Sequence, residues 1–171
     1  ARQLAKTGVF GWVVGQGGVV WKTTNGGQSW SLQIAPLDTL AAVHFMDSQT
    51  GWTVGSQGTI LKTDNGGITW NPTGINYNIK QKKLIYRLLL NSVNSQILYV
   101  STTDGIFKTT DGGTTWQNRI YANPCFDMKF KADDQSTIFA SSSINKQISV
   151  ITLTNHGANT NTVYLAPGIR A

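Results

Sequence analysis

Apolar residues in this chain arrive in short runs, each closed by Gly, Asn, Asp or Ser, and none approaches the length needed to cross a membrane as a helix. Residues 40–47 (LAAVHFMD), 51–56 (GWTVGS), 59–63 (TILKT) and 68–72 (ITWNP) each have strand length, with turn-forming residues at the junctions. The pattern predicts four short antiparallel strands. Residues 82–93 (KKLIYRLLLNSV) also fit a helix, since Leu84, Ile85, Leu88 and Leu89 fall at helical spacing. They nevertheless occupy the first-strand position of a repeat and are read as a strand.

The repeat is carried by KTTNGGQSW at 22–30, KTDNGGITW at 62–70 and KTTDGGTTW at 108–116. Between the first two copies the match extends upstream, pairing Gly11 with Gly51, Trp12 with Trp52, Val14 with Val54 and Gly15 with Gly55. Trp30, Trp70 and Trp116 fall 40 and then 46 residues apart. Four strands in such a period make a propeller blade. The fold expected is all-β: a β-propeller of about four repeats, near 1–36, 37–76, 77–122 and 123–171. The first repeat has little room for a first strand, and the last sets Leu153, Asn155, Gly157, Asn159 and Thr160 where the others have Thr, Asn or Asp, Gly, Ser or Thr, and Trp. The chain is read as part of a larger propeller, the alternative being a small one closed by the C-terminal NTVYLAPGIRA as a missing inner strand.

The three copies share Ser/Thr-x-Asp/Asn-x-Gly-x-Ser/Thr-Trp, filled by Thr23, Asn25, Gly27, Ser29 and Trp30, by Thr63, Asn65, Gly67, Thr69 and Trp70, and by Thr109, Asp111, Gly113, Thr115 and Trp116. This resembles the Asp-box, or bacterial neuraminidase repeat, of sialidases, sortilin-type receptors, oligoxyloglucan hydrolases and photosystem II assembly factors. Its chemistry is that of a turn: the Asp or Asn accepts backbone N–H groups, the Gly residues supply positive φ, and the hydroxyls tie the strand ends. The Trp is expected to bury its ring between sheets at all three copies, worth roughly 2–3 kcal/mol each. The resemblance implies a structural rather than catalytic box.

Composition agrees with a β-rich chain. Charged residues are 13%, there are 18 Gly, and all eight acidic residues are Asp, which removes a strong helix former. Formal net charge is +6, with one cluster of Lys80, Lys82, Lys83 and Arg87 in a connection longer than its counterpart in the preceding repeat. These four residues are the candidate binding site. They suit a protein partner or an anionic surface polymer, while the spread of the remaining charge argues against specific nucleic-acid binding. Cys125 is alone, so no disulfide forms within the chain.

The inventory for catalysis is thin. A sialidase needs three Arg around the substrate carboxylate and a Glu beside its Tyr nucleophile; the chain has Arg2, Arg87, Arg119 and Arg170 and no Glu. A two-carboxylate glycosidase would have to draw on Asp38, Asp47, Asp104, Asp127, Asp133 and Asp134, several of which sit where turns are expected. His44 and His156 lie far apart in sequence with no Cys at metal spacing, so no metal site is expected, and His44 is read as a core or channel residue. GQGGVV is read as a hairpin turn. The resemblance is closest to the photosystem II assembly factor type and to exported bacterial propellers. It implies an extracytoplasmic, cofactor-free, non-catalytic scaffold that holds another protein; a carbohydrate-active propeller and a structural module of a surface protein or filament are the alternatives.

Overall fold

The computed structural model describes residues 3–36, 39–55, 58–73, 84–144, 147–154 and 157–164. It contains four antiparallel sheets of four strands in chain order. The first comprises β1 (Gln3–Thr7), β2 (Phe10–Val14), β3 (Val19–Thr23) and β4 (Ser31–Ile34); the second, β5 (Leu40–Phe45), β6 (Gly51–Gly55), β7 (Ile60–Thr63) and β8 (Asn71–Pro72). The third comprises β9 (Ile85–Leu90), β10 (Leu98–Thr102), β11 (Gly105–Thr109) and β12 (Gln117–Tyr121); the fourth, β13 (Cys125–Lys131), β14 (Asp134–Ile144), β15 (Gln147–Thr154) and β16 (Asn159–Tyr164). Each sheet is a meander, as the strand-length runs and Gly-rich turns dictate.

Two compact units divide the chain, Ala1–Ile85 and Tyr86–Ala171. In the first, Trp12, Val14 and Val20 of the first sheet pack on Val43, Phe45, Leu61 and Trp70 of the second. The Trp12 and Phe45 rings stack at 3.6 Å between centroids. In the second unit, Tyr99, Ile106 and Tyr121 of the third sheet pack on Met128, Phe130, Ile138, Ile151 and Leu153 of the fourth. The two cores are built alike: one face of a sheet, led by an aromatic residue of its second strand, covers the opposite face of the sheet that follows.

Several expectations need correction. Residues 3–7 form a complete first strand, pairing with β2 from Gln3↔Val14 to Thr7↔Phe10, because a five-residue strand needs no more chain than the short N-terminal segment supplies. The C-terminal strand does not close a ring as an inner strand: Asn161 to Tyr164 pair with β15 as the outermost strand of their own sheet. The fourth strand of the second repeat is only Asn71–Pro72, since Ile68 to Trp70 are bent into the box. Residues 85–90 are a strand, as expected, with Ile85, Leu88 and Leu90 buried.

The last sheet keeps the ladder after losing the box. Lys62 pairs with Asn71 in the second sheet, and at the equivalent place Thr152 pairs with Asn161. Two further pairs, Leu153↔Thr160 and Thr154↔Asn159, then extend the hairpin through the positions that the box occupies elsewhere.

Candidate partner-binding site

The boxes use their polar atoms on themselves. Thr23 Oγ1 accepts the N–H of Gly27 at 2.9 Å and donates to Asn25 Oδ1 at 2.9 Å; that oxygen also accepts the Ser29 N–H at 2.9 Å, while Asn25 Nδ2 donates to Ser29 Oγ at 2.8 Å. Thr63, Asn65, Gly67 and Thr69 repeat these four distances. In the third box the Asp111 carboxylate accepts the Thr115 N–H at 2.9 and 3.0 Å, one bond to each oxygen. Burial works to raise the Asp111 pKa, but hydrogen bonds from the Thr115 hydroxyl and N–H, then Thr109 and Thr114, outweigh it and hold the group at about 2.

Each box also grips its own sheet. The first Gly of the pair donates its N–H to the carbonyl just ahead of the second strand: Gly26 to Val9 at 2.7 Å, Gly66 to Gln49 at 2.7 Å and Gly112 to Gln96 at 2.9 Å. Both Gly residues of the pair lie at positive φ, 71° and 90° at Gly66 and Gly67. The box is a clasp across three strands, which is why it recurs in each sheet that has one.

The Trp of the box does not behave alike in the three copies. Trp70 is 5% exposed, its ring meeting Phe45 edge-on at 5.8 Å. Trp116 is half-buried and Trp30 is 38% exposed. The expectation of three equivalent buried rings is therefore corrected at Trp30 and moderated at Trp116. Burial of this ring is supplied by a neighbouring sheet, and the face of the first sheet that carries Trp30 is uncovered.

Of the basic cluster, Lys80, Lys82 and Lys83 lie outside the described residues, as do Asp38, Asn155 and His156. Arg87 is on β9 and pairs through Nε with Asp127 Oδ1 of β13 at 3.3 Å, both side chains more than half exposed. Beside this pair, Tyr86 and Phe126 meet edge-on at 5.3 Å and are likewise exposed. The first strands of the third and fourth sheets thus meet through an exposed aromatic pair and an exposed ion pair. Sequence reasoning named Arg87 for binding and Asp127 only as a candidate carboxylate, and missed Tyr86 and Phe126. The signal was available, since YR at 86–87 and FD at 126–127 hold the same position in the first strands of successive repeats.

Of the carboxylates left for chemistry, Asp47, Asp133 and Asp134 are occupied locally. Asp47 caps a turn by accepting the N–H groups of Gln49 and Thr50 at 2.7 and 2.6 Å. Asp133 pairs with Lys131 at 3.0 Å, and Asp134 accepts the hydroxyls of Ser136 and Thr137, each at 2.6 Å. His44 is exposed on β5 rather than in the core. Cys125 is buried, which raises its thiol to about 12 and keeps it unreactive. Among the described residues no three His, Cys, Asp or Glu side chains gather as metal ligands, and no helix is long and apolar enough to cross a membrane.

Meander sheets of four strands, repeated along the chain and clasped by boxes of this geometry, define a BNR/Asp-box-like β-propeller. The sequence profile of the photosynthesis system II assembly factor YCF48 matches residues 31–126, and the chain belongs to that family. No curated protein sequence matches the chain significantly. Among solved structures, YCF48 from Cyanidioschyzon merolae is similar with a TM-score of 0.64 at 17% identity, over 95% of this chain and 54% of that one. A YCF48 bound to D1 peptide gives 0.54 at 18% identity, over 92% of this chain and 65% of that one. The GH74 xyloglucanase from Xanthomonas campestris gives 0.73 at 10% identity, over 95% of this chain and 30% of that one. At these identities the likeness is one of fold. The chain spans between 30% and 65% of the length of these structures.

Proposed function

We propose that this chain is a non-catalytic, extracytoplasmic propeller segment that holds a protein partner through the first strands of its third and fourth sheets. The observation that carries the reading is the exposed set Tyr86, Arg87, Phe126 and Asp127, fixed on two strands rather than on loops. Tyr and Arg on a rigid support are the residues on which protein interfaces concentrate their energy. Family membership supports the same reading, and the YCF48 solved with a D1 peptide shows one relative of the fold engaging a peptide. The sequence sets Lys80, Lys82 and Lys83 just ahead of β9, so together with a net charge of +6 the partner segment is acidic.

Labelled synthetic peptides of acidic, neutral and basic composition test the reading by fluorescence anisotropy. Acidic peptides are expected to bind saturably and more weakly with salt, and Tyr86→Ala with Phe126→Ala to weaken them by about tenfold or more. Replacing Lys80, Lys82 and Lys83 by Gln should flatten the salt dependence. The carbohydrate-active alternative draws on the fold likeness to the GH74 enzyme. Release of sugar from xyloglucan that disappears with Asp127→Asn, in a protein that binds no peptide, would overturn the scaffold reading.

A further inference from the structure

The three boxes differ at one chemically decisive position. Asn25 and Asn65 each stand directly before a Gly, whereas the third box has Asp111 before Gly112. A side-chain amide followed by Gly is the arrangement most open to loss of ammonia, because the Gly residue has no Cβ to hinder the approach of its nitrogen to the amide carbon. In the folded box that approach is withheld. The Gly66 N–H, the nucleophile of the second box, is committed to the Gln49 carbonyl at 2.7 Å. The Asn65 amide is held at both ends: Oδ1 accepts the Thr63 hydroxyl and the Thr69 N–H, each at 2.9 Å, and Nδ2 donates to Thr69 Oγ1 at 2.8 Å. Gly26 is engaged in the same way on the Val9 carbonyl at 2.7 Å. Freeing the nitrogen and turning the amide therefore requires the clasp to open locally.

The product of such a reaction already exists in the chain. Asp111 accepts the Thr109 hydroxyl at 2.7 Å and the Thr115 N–H at 2.9 Å, the partners that Asn65 has in Thr63 and Thr69. The one change is that the Thr115 hydroxyl donates to the carboxylate, where the Thr69 hydroxyl accepts from the amide. A hydroxyl makes that exchange by rotating, so a carboxylate fits the second box with the same backbone. It would arrive beside a cation, since the Lys22 ammonium and the Ser48 carbonyl lie against the buried Gly66.

We propose that Asn25 and Asn65 are deamidation sites guarded by their own boxes. When the clasp opens, the Gly nitrogen loses its proton to solvent base and bonds to the Asn Cγ; the Cγ–Nδ2 bond breaks and Nδ2 leaves as ammonia. Water then opens the resulting succinimide at either carbonyl, giving Asp or isoaspartate. The Asp product recloses into a box of the third kind and turns a neutral clasp into an anionic one. Isoaspartate carries an extra methylene in the main chain, which displaces the Gly N–H from its carbonyl and leaves the clasp undone. The modification is separate from the peptide-binding reading and stands or falls without it.

Incubation of the intact chain at mildly alkaline pH, with and without urea, tests the proposal when Asn25 and Asn65 are followed by mass spectrometry of proteolytic peptides, with the Asp and isoaspartyl forms separated by chromatography. Both sites are expected to convert in urea, at least about tenfold faster than in buffer. Thr69→Ala, at an exposed position, removes the partner of Asn65 Nδ2 and should speed conversion at Asn65 in buffer by about threefold while leaving Asn25 unchanged. Asn65→Asp should keep the wild-type circular dichroism and melting temperature. Equal rates in buffer and urea overturn the proposal, as does the absence of conversion in urea. So does an Asn65→Asp chain that loses the fold.

Discussion

The indole Nε1 of Trp12 donates to the carbonyl of Gly66 at 3.0 Å, across 54 residues of sequence. The first sheet is thereby fastened to the box of the second, and Lys22 lies over the same indole at 5.5 Å from its centroid. Trp12 is fully buried, so the bond is shielded from water. Trp12→Phe keeps most of the ring and leaves the Gly66 carbonyl without this donor; a loss of about 1–3 kcal/mol is expected from urea unfolding.

The box tryptophans should separate by their surroundings. Trp70→Ala empties a site between two sheets and should cost about 3–5 kcal/mol, whereas Trp30→Ala should cost less than about 1 kcal/mol. Fluorescence offers a second measurement: acrylamide should quench Trp30 well ahead of Trp70. Equal costs for the two substitutions would contradict the packing described for the first two sheets.

Gly26 and Gly66 have the same φ, 70° and 71°, but different neighbours. A Cβ on Gly26 meets nothing within 4 Å, while one on Gly66 falls 2.7 Å from the Ser48 carbonyl oxygen. Gly26→Ala is expected to cost only the left-handed conformation, about 1–2 kcal/mol. Gly66→Ala adds the collision with backbone, about 1–3 kcal/mol more, and the difference in urea midpoint between the two variants measures it.

Acid should loosen the third box before the other two. With its folded pKa held at about 2, below the unfolded value of 3.8, Asp111 contributes its full stabilisation above the ordinary carboxylate range and loses it as pH falls through about 2. Asn25 and Asn65 have no such proton to gain. Asp111→Asn should therefore fold, and should lose less stability than the wild type between about pH 4 and about pH 2. Asp134, also held at about 2 by Ser136 and Thr137, accounts for part of the slope that remains. Thermal melts at the two pH values make the comparison.

The ion pair of Arg87 and Asp127 should matter little to folding. Both partners are more than half exposed, so Asp127→Asn is expected to change stability by less than about 1 kcal/mol while altering partner binding at that patch.

The strands and the boxes were legible in the sequence because both are local devices. Strand-length apolar runs, Gly pairs at fixed offsets and a hydroxyl four residues after each box Asn or Asp depend only on neighbouring chain. Trp30 was misread because its exposure is decided by whether another sheet lies against it, which no local pattern encodes. Gln3 to Thr7 were discounted for brevity, although Leu4 and Val13 hold a regular ladder place. The cluster of Lys80, Lys82, Lys83 and Arg87 drew attention by charge, yet Arg87 finds its partner 40 residues on, at Asp127, by way of the repeat. Tyr86 and Phe126 escaped notice because exposed and buried aromatics look the same as letters.

Thr152 opposite Asn161 occupies the ladder place of Lys62 opposite Asn71, in a hairpin from which the box has gone. Gly157 even keeps φ at 90°, the value of Gly67. The alignment of neighbouring strands is thus inherited from the strands themselves, and the clasp is an ornament on it that mutation can erase. A census of tandem modules taken from the motif would return three where the backbone has four. In chains of this kind copy number belongs to the spacing of the apolar runs, and the motif counts only the hairpins that carry the clasp.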